Sequence, residues 1–251
     1  MVAIVAIANQ KGGVGKTSLT LNVGWAFAEQ GRRVALVDLD PQGHLTAVFD
    51  NQGSSMGLAS WLAGQDAALR NVAPGVDLLG MEPPDAWPGD DAIIASAIVR
   101  LAGSYDVVFV DCPPSEGMLL HAALRAATVL LIPLHADYFS MNGLSRFIQA
   151  TQAVVGERPF YLVLNRLSRR RRLDEEVRSR LATYFGDRLL QTGVREAVAI
   201  AESPGFGQSL FQYAPGHGAL MDYRALVQEL LGVLGQPSSV EPLPRPPVVE
   251  P

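Results

Sequence analysis

Cys112 is the chain's one cysteine, which excludes a disulfide framework and any cysteine-rich metal site and suits a reducing compartment such as the cytosol. No uninterrupted apolar run reaches the roughly 18–20 residues needed to cross a bilayer; the nearest, Ala126 to Leu134, is far shorter. Positive charge is not in excess. A net charge of −5 excludes a uniformly basic nucleic-acid coat and leaves room only for a local patch. No internal repeat of solenoid spacing is present, and low complexity is confined to the final residues. Met1 to Ala8 is apolar without a positive segment ahead of it, so it reads as a strand and not as a signal peptide.

What the chain does have is 251 residues with 48% hydrophobic content, enough for a sizeable core. Short β-rich apolar runs, Ala3 to Ala8, Val34 to Asp38, Val76 to Gly80, Val107 to Asp111, Val129 to Pro133 and Tyr161 to Asn165, alternate with helical spacing. Runs apolar on both faces and separated by helices predict a doubly wound α/β fold, a mostly parallel sheet with helices on both sides. Helices are expected over Lys16 to Gln30, Asp90 to Leu101, Asp174 to Tyr184 and Ala219 to Leu234. Residues 1–235 read as one domain, and 236–251, rich in proline, as a disordered tail.

Directly after the first strand stands Asn9-Gln10-Lys11-Gly12-Gly13-Val14-Gly15-Lys16-Thr17-Ser18, opening a helix. The strict P-loop pattern wants glycine where Gln10 stands. The physics survives the mismatch. Gly12, Gly13 and Gly15 let backbone N–H groups around Val14 and Ser18 converge on an anion at a helix N-terminus. Lys16 is placed to reach β- and γ-phosphates, and Thr17 to offer a hydroxyl to Mg²⁺, which binds few protein oxygens. ATP and Mg²⁺ are therefore the expected cofactors.

Carboxylates stand at the ends of two strands, where open α/β sheets bind ligands. Asp38 and Asp40 close the second run, and Pro41 lets Asp40 travel with a loop; as a bland alternative both are turn formers. Val107 to Val110 followed by Asp111 has the Walker B form, making Asp111 a Mg²⁺-side acid. Cys112 beside it reads as a buried thiol without chemistry.

Lys-Gly-Gly-Val-Gly-Lys-Thr-Ser at 11–18 resembles the deviant Walker A motif of the ParA/MinD family of ATPases, and Asp38-Leu-Asp-Pro-Gln-Gly43 and Asp111-Cys-Pro-Pro-Ser115 resemble its two switch segments. Further landmarks, Ile132 to Leu134, Phe139 to Leu144, Glu202 to Pro204, Gly207 to Ser209 and Tyr223 to Leu226, follow in the family's order. The resemblance spans about Val2 to Leu234 and implies an ATPase that dimerises around two ATP molecules. It makes Lys11 the lysine that reaches the partner subunit's nucleotide, Lys16 the lysine of its own loop, Asp40 the acid that orients water, and Asp38 a secondary, Mg²⁺-side or structural acid. A cation delivered only on dimerisation would stabilise the transferring phosphoryl group as an arginine finger does.

The family's Asn-Arg pair near adenine matches Asn165-Arg166, which implies that Asn165 reads the base; a turn-forming Asn is the alternative. Small ParA proteins bind DNA non-specifically, and the candidates here are Arg169, Arg170, Arg171, Arg172 and Arg195, with a solvated charge run as the alternative. His217 stands where some relatives carry a basic DNA-contacting residue. By resemblance the partners are a second copy, a ParB-like activator and nucleoid DNA, with cargo to segregate or position. One cysteine argues against a nitrogenase iron protein, the proline-rich end against a MinD membrane helix, and the early loop against a preceding helix-turn-helix domain. Two other functions remain in view: a cytosolic scaffold or regulator without DNA, and a dethiobiotin-synthetase-like enzyme.

Overall fold

The structure is a computed structural model that describes residues 2–49, 57–65, 69–82, 90–168 and 172–235, without the side chains of 138–142 and 172. The proline-rich tail expected over 236–251 lies outside the described residues.

Seven strands form one sheet among the described residues: β1 Ala3–Ile7, β2 Val34–Asp38, β3 Leu69–Ala73, β4 Val76–Leu79, β5 Val107–Asp111, β6 Val129–His135 and β7 Phe160–Asn165. Their order is β3-β4-β2-β5-β1-β6-β7. Every pairing is parallel except β3 with β4. The expected mostly parallel sheet is present, with one antiparallel edge strand added. The helices are α1 Lys16–Glu29, α2 His44–Ala47, α3 Leu58–Leu62, α4 Asp91–Ala102, α5 Met118–Ala126, α6 Tyr138–Val155, α7 Arg172–Phe185, α8 Val198–Glu202, α9 Leu210–Tyr213 and α10 Ala219–Leu234.

Successive strand residues face opposite ways, and here both directions meet a core. Ile4 and Ala6 pack with Val37, Val110 and Ile132 under α4, α5, α6 and α7. Val5 and Ile7 pack with Leu36, Phe109 and Leu131 under α1 and α10. This two-sided burial is why the strands read as near-continuous apolar runs. Phe27 of α1 meets Phe109 of β5 edge-on at 5.2 Å, locking helix to sheet.

Strand β6 runs past Pro133, where the sequence reading ends it. Its pairing with β1 stops at Leu131, while pairing with β7 continues to His135 opposite Asn165. Pro133 therefore lies where β1 no longer needs its missing N–H, and its carbonyl accepts the Asn9 side-chain amide at 2.8 Å. β5 and β6 flank β1, so the chain winds away on both sides and opens a crevice at the carboxyl ends.

Candidate nucleotide site

The loop leaving β1 fills that crevice. Gly13 and Gly15 adopt φ +74° and +86°, a left-handed backbone that glycine enters without steric cost. Gly15 sits at the N-cap of α1, and neither a capping side chain nor an acid in the first turn answers the helix. The first N–H groups of a 14-residue helix are thus left for an anion. Lys16 is buried beside them, whereas the Lys11 side chain is 41% exposed and pairs with Asp137 at 2.6 Å. Two lysines five positions apart are sorted to opposite sides of the loop: one inside, one on the rim.

Asp38 and Asp111 end adjacent strands in register, and their environments differ. Asp38 accepts from the Asp40 N–H at 3.0 Å with one oxygen, and from the Thr46 N–H at 2.8 Å and hydroxyl at 2.7 Å with the other. Burial still raises its pKa, against the pull of those bonds. Asp111 is buried with neither oxygen hydrogen-bonded. Desolvation first and the nearby charge of Asp38 second push its carboxyl up to about 8, against the Thr17 hydroxyl and the Lys16 ammonium.

A buried carboxylate with neither oxygen in a hydrogen bond of normal geometry, and only the Thr17 hydroxyl and Lys16 ammonium nearby to ease it, calls for a cation, and the groups beside it are those that Mg²⁺ takes: one acid and one hydroxyl, with water supplying the remainder. Among the described residues no group of three or more metal-binding side chains exists, as befits an ion that keeps its water shell and leans on substrate phosphates. The residues fit Mg²⁺, with Asp111 and Thr17 as the groups that would hold it.

Asp40 is buried too and anchors its own turn, accepting from Gln42 N–H at 3.0 Å. Thr46 ties this segment down. Its hydroxyl donates to Asp38 and accepts from Met81 N–H at 2.7 Å. The loop after β5 is tied to the phosphate loop by Gln10, which donates to Glu116 at 2.7 Å. Gln10 stands where the strict motif has glycine, and it makes a side-chain contact that glycine could not.

Asn165, at the end of β7, is buried under the loop, donating to Val14 O at 2.9 Å and accepting from Arg166 N–H at 3.0 Å. His135 lies across the ladder from it, its Nε2 buried without a partner and its pKa lowered by burial, then by the charges of Arg166 and Lys11. Of the arginines singled out in the sequence, Arg169, Arg170 and Arg171 lie outside the described residues, and Arg172 begins α7. Arg195 is engaged: its guanidinium grips Asp222 with two bonds of 2.6 Å. The structure therefore gathers Lys16, Thr17, Asp38, Asp40, Asp111 and Asn165 around one loop. Sequence reasoning misses Thr46, Asp137 and Glu116, since each is a common residue type whose partner is remote in the chain.

With this geometry in hand, comparison with known proteins is decisive. The sequence model of a family described as an AAA domain matches residues 2–159. The chain is 32% identical to the chromosome partitioning protein ParA of Caulobacter vibrioides over 257 residues, covering 91% of this chain and 93% of that protein. It belongs to the ParA/MinD family of ATPases. Similarity of the same order links it to the chromosome-partitioning ATPase Soj of Thermus thermophilus, 32% identical over 90% of this chain and 94% of that one. Among solved structures, the cobyrinic acid a,c-diamide synthase of Mycobacterium smegmatis with bound ADP and magnesium superposes with a TM-score of 0.74 at 28% identity, over 92% of this chain and 94% of that one. Among the described residues no helix is long and apolar enough to cross a membrane.

Proposed function

We propose that this ATPase is a nucleotide-driven dimer switch that binds DNA non-specifically when loaded with ATP and so segregates or positions DNA or protein cargo, a ParB-like partner stimulating hydrolysis and release. The observation that carries the reading is the sorting of the two loop lysines. Lys16 is buried where it can hold the subunit's own β- and γ-phosphates, and Lys11 stands half-exposed on the rim, paired with the Asp137 carboxylate. A lysine on the rim supports a role at another subunit's nucleotide.

In that assembly Asp40 aligns a water in line with the γ-phosphate. The water oxygen bonds to phosphorus, the bond from phosphorus to the β–γ bridging oxygen breaks, ADP leaves carrying that electron pair, and the water's protons stay with the inorganic phosphate formed. Asp111 and Thr17 would hold Mg²⁺, which when bound would supply neutralisation of phosphate charge. Lys16, the loop amides and the partner subunit's Lys11 hold the charge that develops on the transferring group, where preformed donors are most effective. The cycle belongs in the cytoplasm, on the nucleoid.

Light scattering of the purified protein with ATP and Mg²⁺ tests this: wild type shifts to a dimer, and Lys11→Ala binds ATP but stays single. A Lys11→Ala protein that dimerises and hydrolyses like wild type removes the trans role. One observation favours a second reading, a positioning scaffold without DNA. Arg195, a DNA candidate, is held by Asp222 and is not free to meet phosphate.

A further inference from the structure

Two contacts of the phosphate loop with residues at the end of β7 share one geometry. In a planar trans peptide the C=O of one residue points opposite to the N–H of the next. Tying down a loop carbonyl therefore aims the following amide the other way. Val14 O is held by Asn165 Nδ2 at 2.9 Å, which aims the Gly15 N–H. Gly13 O is approached by Arg166 Nη1 at 3.4 Å, which aims the Val14 N–H. Asn9 bridges Pro133 O at 2.8 Å and Lys11 N–H at 2.9 Å, fixing where the loop starts.

The holders are themselves held. Asn165 is buried and its oxygen is engaged by the Arg166 N–H. Arg166 takes φ +57°, the one non-glycine residue with positive φ among those described, a conformation maintained only when surroundings impose it. They do so here: Glu196 receives its Nε and Nη2 at 3.1 and 2.7 Å, and Leu167 exchanges backbone bonds with Val194 and Glu196. The fit is tight enough to dictate sequence in the loop. A Cβ on Gly15 would lie 2.4 Å from Asn165 Nδ2, so the approach of Asn165, as well as the backbone angle, demands glycine there.

We infer that Asn165 and Arg166 are positioning residues for the phosphates: by tethering the Val14 and Gly13 carbonyls they point the Gly15 and Val14 amides into the anion nest before nucleotide arrives. This goes beyond the base-reading role that the family resemblance implies for Asn165, and it brings in Arg166. It rests on the reading of the loop as the ATP site. The two roles separate in the chemistry of the ligand. A base reader sets the preference for adenine over guanine, and a loop tether sets affinity for the phosphate chain whatever base is attached.

The test is calorimetric titration of wild type, Asn165→Ala and Arg166→Ala with ATP, GTP and inorganic tripolyphosphate, each with Mg²⁺. Asn165→Ala is expected to weaken all three by roughly tenfold, the scale of one net hydrogen bond, with the ATP to GTP ratio unchanged. Arg166→Ala, made at a half-exposed side chain and removing a longer contact, should weaken all three by about two- to threefold, and it carries the test if Asn165→Ala does not fold. Unchanged tripolyphosphate affinity in both variants, or a changed ATP to GTP ratio with tripolyphosphate unaffected, overturns the inference. Wild type that binds neither ATP nor tripolyphosphate would instead overturn the reading of the loop itself.

Discussion

Asp111 and Asp38 end neighbouring strands one hydrogen-bond ladder apart, and the same residue type is put to two uses by what surrounds it. Asp38 has three donors and sits as the post on which the segment carrying Asp40 is fixed. Asp111 has none, and its pKa of about 8 makes it a proton carrier in the absence of Mg²⁺. The sign follows from linkage. A carboxyl raised from near 4 to about 8 on folding favours the folded state fully below the lower value, and that stability is lost as pH rises to the upper one. Denaturant midpoints of the nucleotide- and metal-free protein should therefore fall between pH 5 and 8, and Asp111→Asn should flatten the slope, leaving the part due to Asp38. An Asn variant with the wild-type slope would contradict this. Below about pH 8, Mg²⁺ binding with nucleotide should release a proton, seen as a buffer-dependent heat. Asp40→Ala is expected to keep ATP binding and hold the dimer by blocking hydrolysis; turnover at the wild-type rate would remove Asp40 from the water-orienting role.

Elements place these residues through their ends. α1 begins bare because its cap is a left-handed glycine in the place of a Ser or Asp, whereas α4 begins with Asp90 accepting from Ala92 N–H at 2.8 Å. A side-chain cap at α1 would occupy the donors that phosphate needs; at α4 it is worth about 1 kcal/mol, so Asp90→Ala should lower stability by that amount without altering nucleotide affinity. The short helix α2 has another function. Its Thr46 joins Asp38 to the backbone of Met81, so Thr46→Val would leave a buried carboxylate oxygen short of a donor and cost about 1–3 kcal/mol in denaturant titration. No change in stability would mean that Asp38 does not depend on this bond. Strand β3 is the strand the sequence conceals. Leu69 to Ala73 has one buried residue, Val72, at a sheet edge, so it lacks the double-sided apolar pattern by which the inner strands are recognised.

At the scale of the whole molecule, the sheet brings loops from β1, β2, β5 and β7 to one edge, and the cores on its two faces keep those loops in fixed register. The DNA-binding proposal also belongs at this scale, because it concerns the field of a chain with net charge −5. Arginines grouped after β7 can act locally on such a background. Affinity of the ATP-bound protein for random-sequence duplex should fall steeply with salt, and replacing Arg169, Arg170, Arg171 and Arg172 together with alanine should weaken it and reduce the salt dependence while dimerisation persists. Equal affinity at every salt concentration would favour the scaffold reading.

The order of apolar runs and the glycine-lysine loop in the sequence determined the parallel sheet, the candidate phosphate site and the family, because periodicity and local motifs are written in neighbouring residues. Tertiary structure alone decided which carboxylate is satisfied and which is left open, that Asn165 grips Val14 from 151 positions away, that Lys11 meets Asp137 across 126, and that Arg195 is already taken by Asp222. Those outcomes depend on partners brought together by folding, and a side chain's burial, charge and remaining hydrogen-bonding capacity exist only once those partners are in place.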